Sequence, residues 1–196
     1  MAETTATSPR TIAVDTTVGT RTWSSPDNAK TDDANATQSS AFGAGTNSNY
    51  LKATNFGFEI PSRATIDGIL VEVKRRSSNQ SSTQYIVDNE VRIVKEDGSI
   101  GLTNKADTTT KYPTSEAYVD YGSLSDVWGE TWTAENINDS DFGFAFSINI
   151  VQDSGFTIAA VFHIRMTIYY TESTFNPAFA HRRLLLLYLC LIIPLS

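Results

Sequence analysis

Cysteine is almost missing from this 196-residue chain: the only one, Cys190, lies near the C-terminal end. A lone thiol excludes an intrachain disulfide and a cysteine-built structural metal site. Histidine is nearly as scarce, with only His163 and His181. No Ser/His/Asp constellation accompanies them, which leaves little for nucleophilic or metal catalysis and points to a protein without a cofactor that is not an enzyme. Positive charge is short as well, with 15 Lys and Arg against 22 Asp and Glu and a formal net charge of -7. Phosphate binding needs a basic footprint, so a nucleic-acid partner is not expected. The one basic cluster inside the domain, Lys74-Arg75-Arg76, reads as a solvated strand end that discourages edge-to-edge pairing. Long helix-forming stretches are lacking too, and the polar start, Met1 to Thr5, has no apolar core of the kind an export signal carries.

What is present is alternation. In 65–76, Ile69, Val71 and Val73 share one face while Glu72 and Lys74 take the other. Residues 84–95 and 142–150 alternate in the same way, and in 156–170 every even position is apolar. Period two marks strands with one buried and one wet face. Shorter candidate strands lie at 11–14, 50–60 and 116–121, with a hairpin turn at Asp97-Gly98 and one short helix near 133–137. About eight strands with almost no helix make an all-β antiparallel sandwich, and two four-stranded sheets in jelly-roll wiring suit the length. The expected organisation is a flexible N-terminus at 1–9, a sandwich domain at 10–172, and an apolar C-terminal tail at 173–196.

Phe-Gly-Phe occurs twice, at 56–58 and at 142–144, the second preceded by Asp141. A kinase metal motif is excluded, because no glycine-rich loop or His-Arg-Asp loop stands upstream. The motif reads instead as two strand entries: the rings share one face, and glycine permits close approach of another backbone on the other.

The remaining candidates are few. Tyr118, Trp128 and Trp132 could form a platform that stacks on sugar rings, although a sandwich also buries aromatics at its ends. Asp27, Asp32 and Asp33, with Asn28 and Asn35, offer hard oxygen ligands but lack the spacing of a defined calcium loop. Turn formation accounts for them, and no metal is expected. His163 falls on the mixed face of the last strand, where a surface or subunit-contact role is expected.

Several segments follow in a particular order: Trp23 to Ala29, Ser48 to Val73, Val91 to Gly98, Tyr121 to Phe146, and the strand ending Ile168 to Thr171. This order resembles a widespread group of β-sandwich virion structural proteins from tailed phages and prophages, over about three quarters of the chain. The resemblance implies a capsid decoration, minor capsid or tail-associated component, made in the host cytoplasm without a signal peptide. Its partners would be other virion proteins and copies of itself; attachment to glycans through a carbohydrate-binding face is the alternative. The chain then continues into an apolar run, Leu184–Leu195, shorter than the roughly 20 residues of a spanning helix. Docking on a neighbouring subunit through Leu184, Leu187, Leu191 and Ile192, a lipid contact, and a tail added by altered reading of the gene's end are the readings open for it.

Overall fold

The computed structural model describes residues 1–39, 46–152 and 156–173. The apolar run at 184–195, with Leu184, Leu187, Leu191 and Ile192, lies outside them. Among the described residues no helix is long and apolar enough to cross a membrane.

The strands in chain order are β1 (Ala2–Glu3), β2 (Thr11–Asp15), β3 (Trp23–Ser24), β4 (Thr37–Ser39), β5 (Thr46–Asn47) and β6 (Tyr50–Thr54). The longer ones follow: β7 (Thr65–Ser77), β8 (Gln84–Val94), β9 (Ala117–Ser123), β10 (Gly143–Gln152) and β11 (Ala159–Thr171). A 3-10 turn, Pro26–Lys30, and one short helix, α1 (Ala134–Asn138), complete the list. α1 carries a capping box, with Thr133 and Asn136 bonding each other's backbone N–H.

All strand pairings are antiparallel and fall into two sheets. The six-stranded sheet runs β3-β4-β11-β7-β9, with β1 also on β11; the five-stranded sheet runs β2-β6-β10-β5, with β8 on β10. From β6 onward successive strands alternate between the sheets, and the last two strands are central in their sheets. That interleaving is the jelly-roll wiring expected, although the sheets hold six and five strands rather than four each, because the two-residue pieces β1, β3 and β5 add to them.

Period two decides the faces. The inner face of β7 (Ile69, Val71, Val73) meets that of β10 (Phe144, Phe146, Ile148), and all six side chains are fully buried. Each such side chain contributes about 1.5–3 kcal/mol relative to staying in water. Trp128 and Trp132 pack edge-on against Phe144 and Phe142, with ring centroids 6.3 and 5.3 Å away.

The two Phe-Gly-Phe copies meet at one end of the sandwich, where Gly143 pairs with Thr54 and the Phe58 and Phe142 rings lie 6.3 Å apart. Only the second copy enters a strand. A Cβ on Gly143 would come within 2.0 Å of the Ala53 carbonyl oxygen, so the close approach of β6 demands glycine there. The first copy departs from the strand entry read in the sequence. Asn55 and Gly57 take φ of 56° and 73°, and these left-handed residues end β6 at Thr54. Its rings still share a face, stacked 5.6 Å apart.

Residues 1–9, read in the sequence as a free end, pair with the edge of β11. Ala2 and Glu3 stand opposite Tyr170 and Tyr169, and Thr7 exchanges both backbone bonds with Met166 at 2.9 Å.

Candidate functional site

The three-ring platform does not form. Trp128 is 1% and Trp132 8% exposed, each with its indole N–H satisfied inside, by the carbonyls of Ile69 (3.1 Å) and Val127 (2.9 Å). A ring whose one polar atom finds an internal acceptor buries without penalty, and both therefore serve the core. Tyr118 stands apart from them, half-exposed on the outer face of the six-stranded sheet.

The acidic and amide residues of 27–35 do not converge on one point either. Asp27 pairs with Lys30 at 2.6 Å, Asn28 donates to the Ala36 carbonyl, and Asp33 accepts from the Asn35 backbone. Asp32 turns the other way, onto the sheet, where Lys74 Nζ lies 2.9 Å and Tyr118 Oη 3.0 Å from its carboxylate. Among the described residues no group of three or more His, Cys, Asp and Glu is placed to hold a metal ion.

That outer face is where polar side chains gather. Strand register sets them in rows: His163, Lys74 and Tyr118; then Arg165, Glu72 and Asp120; then Thr167, Leu70 and Gly122; and Tyr169 beside Gly68. Tyr118 and Tyr169 mark the ends of a strip spanning roughly 20 Å at 3.3 Å per residue. Arg165 and Glu72 form a bidentate pair, Nε and Nη2 each donating to one carboxylate oxygen at 2.7 and 2.6 Å. The Arg165 guanidinium also lies 4.2 Å from the centre of the Tyr118 ring, covering one face of it. Since Nε and Nη2 serve Glu72, the Nη1 hydrogens of Arg165 and the exposed Asp120 carboxylate are free to meet solvent or a ligand.

His163 is the best-covered member of the strip, 6% exposed, and so is not the surface residue its strand position suggested. Nδ1 lies 2.8 Å from Tyr118 Oη, and Nε2 lies 2.8 Å from Ser8 Oγ. The Tyr118 proton is donated to Asp32, so Nδ1 must carry hydrogen and Nε2 must accept from Ser8. Burial pushes the His163 pKa down, only partly opposed by the Asp32 charge, and the ring is neutral at pH 7. Hydrogen bonds from Lys74 and Tyr118 hold Asp32 ionised with a lowered pKa, and Lys74 is raised by Asp32 and Glu116 in turn. Burial and the Asp32 contact raise Tyr118.

Ser8, a neutral His163, Tyr118 and Asp32 are hydrogen-bonded in series, a chain that spacing could not reveal, because Ser8 and His163 lie 155 residues apart and a tyrosine stands between the histidine and the acid. The charges beside this chain are paired: Lys74 lies against the Asp32 and Glu116 carboxylates and Arg165 against Glu72. The chain of bonds fastens the first ten residues and the 31–36 loop to the sheet.

The other outer face is more enclosed. Tyr50, Val94 and Ala145 form a small apolar cluster there with Val18 and Ile100. Tyr50 donates to Glu90, and Lys52 reaches the Gly98 carbonyl of the covering hairpin at 2.8 Å. A shallow groove lined by Ser62, Thr133, Glu135, Asn138 and Asp139 flanks α1. Thr133 and Asn138 are spent there on the helix cap and on Ile60.

No family model matches the chain, and no curated protein matches it. Several solved structures are similar in outline. One is described as "CBM4 structure and function", at 11% identity and a TM-score of 0.34, covering 69% of this chain and 85% of that one. "BiXyn10A CBM1 APO" has 10% identity and a TM-score of 0.34, covering 85% of this chain and 99% of that one. The N-terminal cellulose-binding domain of Cellulomonas fimi β-1,4-glucanase C has 12% identity and a TM-score of 0.29, covering 75% and 82%. At such scores these likenesses carry no argument about a ligand.

Proposed function

We propose that the chain is a non-catalytic binding module that holds a glycan along the outer face of its six-stranded sheet. The observation that carries this reading is the strip itself, in which paired charges and an exposed carboxylate lie between two half-exposed tyrosines on an open sheet face. Sugar hydroxyls are at once donors and acceptors, and neighbouring pairs of them match the oxygens of a carboxylate and the N–H groups of a guanidinium. Tyr169, and the face of Tyr118 that Arg165 leaves uncovered, add apolar ring surface on which the C–H faces of a sugar can pack.

The alternative of a broad subunit interface wants an apolar centre. Among the described residues the exposed large apolar side chains are Met1, Leu102, Leu124 and Phe156, on four separate segments. A small polar ligand fits this surface better than a flat protein partner does.

The test is a glycan array followed by affinity electrophoresis in soluble polysaccharide. Binding by the full chain, lost in a double variant Arg165→Ala, Asp120→Ala and weakened in Tyr169→Ala, supports the proposal. Absence of any bound glycan, or retention of binding by both variants, overturns it. Recovery of the chain at many copies in purified phage particles would instead favour the virion role implied by the motif order.

A further inference from the structure

The first eight residues are held almost wholly through their backbone. Thr4 N donates to the Ile168 carbonyl at 2.9 Å, Thr7 exchanges two bonds with Met166, and Ile168 N donates to Thr4 Oγ1 at 3.0 Å. Residues 1–6 contribute no buried side chain; each is exposed or half-exposed. Main-chain pairing of this kind is blind to which copy supplies the strand.

The connection is short. Thr7 bridges to Met166 in one sheet, and Thr11 already pairs with Thr54 in the other. Four residue steps span at most about 14 Å, against roughly 10 Å between packed sheets. The crossing, Ser8-Pro9-Arg10, is therefore nearly taut and contains a proline that fixes its φ. Short, taut connections favour exchange of the terminal element between copies, because the connection relaxes when the element leaves. One side-chain bond at the crossing opposes departure, that of Ser8 to His163.

We propose that the edge of β11 from Met166 to Tyr170 is a strand-acceptor site, filled either by the chain's own residues 2–7 or by residues 2–7 of a second copy. The exchanged form links two copies with no new side-chain contact. It neither needs nor disturbs the glycan reading.

Single cysteines test it in the full chain, on a Cys190→Ser background that removes the only native thiol. Glu3 and Tyr169 are register partners, so a Glu3→Cys chain mixed with a Tyr169→Cys chain crosslinks only when one copy's arm lies on the other's β11. Asp97→Cys, on the hairpin of the opposite sheet, mixed with Tyr169→Cys measures random collision. The expected result is a disulfide-linked heterodimer about tenfold above that control, growing with concentration and increased further by His163→Ala. A heterodimer yield equal to the control at every soluble concentration overturns the proposal. So does an excess that inserting two glycines between Ser8 and Pro9 leaves unchanged, since a slack crossing removes the cause of exchange.

Discussion

The molecule carries two charged clusters of similar make-up in opposite settings. Between the sheets, Arg75 Nη1 donates to Asp88 at 2.6 Å, to Tyr112 Oη at 2.7 Å and to Tyr121 Oη. Asp88 in turn accepts from both tyrosines at 2.9 Å and from the Asp107 N–H at 3.1 Å. On the outer face, Arg165 and Glu72 use the same chemistry with solvent beside them. Burial alone would push Arg75 down, but Tyr112, Tyr121 and Asp88 more than offset it and leave its pKa raised. Arg165 is raised chiefly by its bonds to Glu72, which outweigh the opposing effect of burial. The inner cluster fixes how the two sheets face each other, since β7 supplies the cation and β8 the anion. The outer cluster keeps donors and acceptors to spare, and that difference separates a structural clip from a candidate binding surface.

Removing one inner partner has the largest expected effect. Asp88→Ala strands a buried guanidinium and should cost about 3–5 kcal/mol, read as a lowered urea midpoint. A double variant, Asp88→Leu with Arg75→Met, should recover most of that loss; if it is as unstable as the single variant, the clip is more than charge compensation.

Next comes the pH response of His163. Its folded pKa lies below the ordinary 6.5, so between the two values the unfolded chain binds more protons. Stability from this group is present above pH 6.5 and is lost as pH falls through the window below it. Urea midpoints measured from about pH 7.5 down to about pH 5 should decline, and His163→Gln should flatten the decline.

A smaller effect is expected from the outer pair. Glu72→Ala should change stability by no more than about 1 kcal/mol, because solvent screens the pair, while glycan retention drops in the same variant. Equal losses from Glu72→Ala and Asp88→Ala would erase the distinction between the clusters. The smallest expected effect is none: Trp23, Trp128 and Trp132 are all buried, so a bound glycan should leave tryptophan emission unshifted.

β7 was legible because it obeys period two on one wet and one dry face. β8 breaks the alternation at the irregularity opposite Ser147 and Ile148, which turns Asp88 into the core, and β10 is buried on both faces. The stretches at 65–76 and 84–95 end within a residue of β7 and β8, and the turn at Asp97-Gly98 is present with Gly98 at φ 78°. The site was not legible, for two physical reasons. An apolar ring reads alike in a core and on a platform, so Trp128 and Trp132 could be placed only once their N–H partners were known. The strip is also assembled by register: Asp32 meets Tyr118 across 86 residues, and Arg165 meets Glu72 across 93. The polar positions of the last strand and those opposite Val71 and Val73 were both visible; which strand neighboured which was not. The pairing of residues 2–7 left no signal at all, since it rests on backbone bonds that every sequence can offer.

The strand order also sets a timetable for synthesis. Both sheets are centred on strands from the end of the domain, β10 at Gly143–Gln152 and β11 at Ala159–Thr171. When Ser77 has been made, the strand that will cover its edge is still 82 residues away at its first residue, Ala159. At 5–20 residues per second, β7 waits roughly 4–16 s on the ribosome with an apolar face and an open edge. β2 can pair with β6 and β7 with β9 earlier in synthesis, but neither sheet is complete before its central strand is made. In the finished fold Lys74-Arg75-Arg76 is not the solvated strand end that its charge suggested: Arg75 is 2% exposed, and β7 is paired on one side with β11 and on the other with β9.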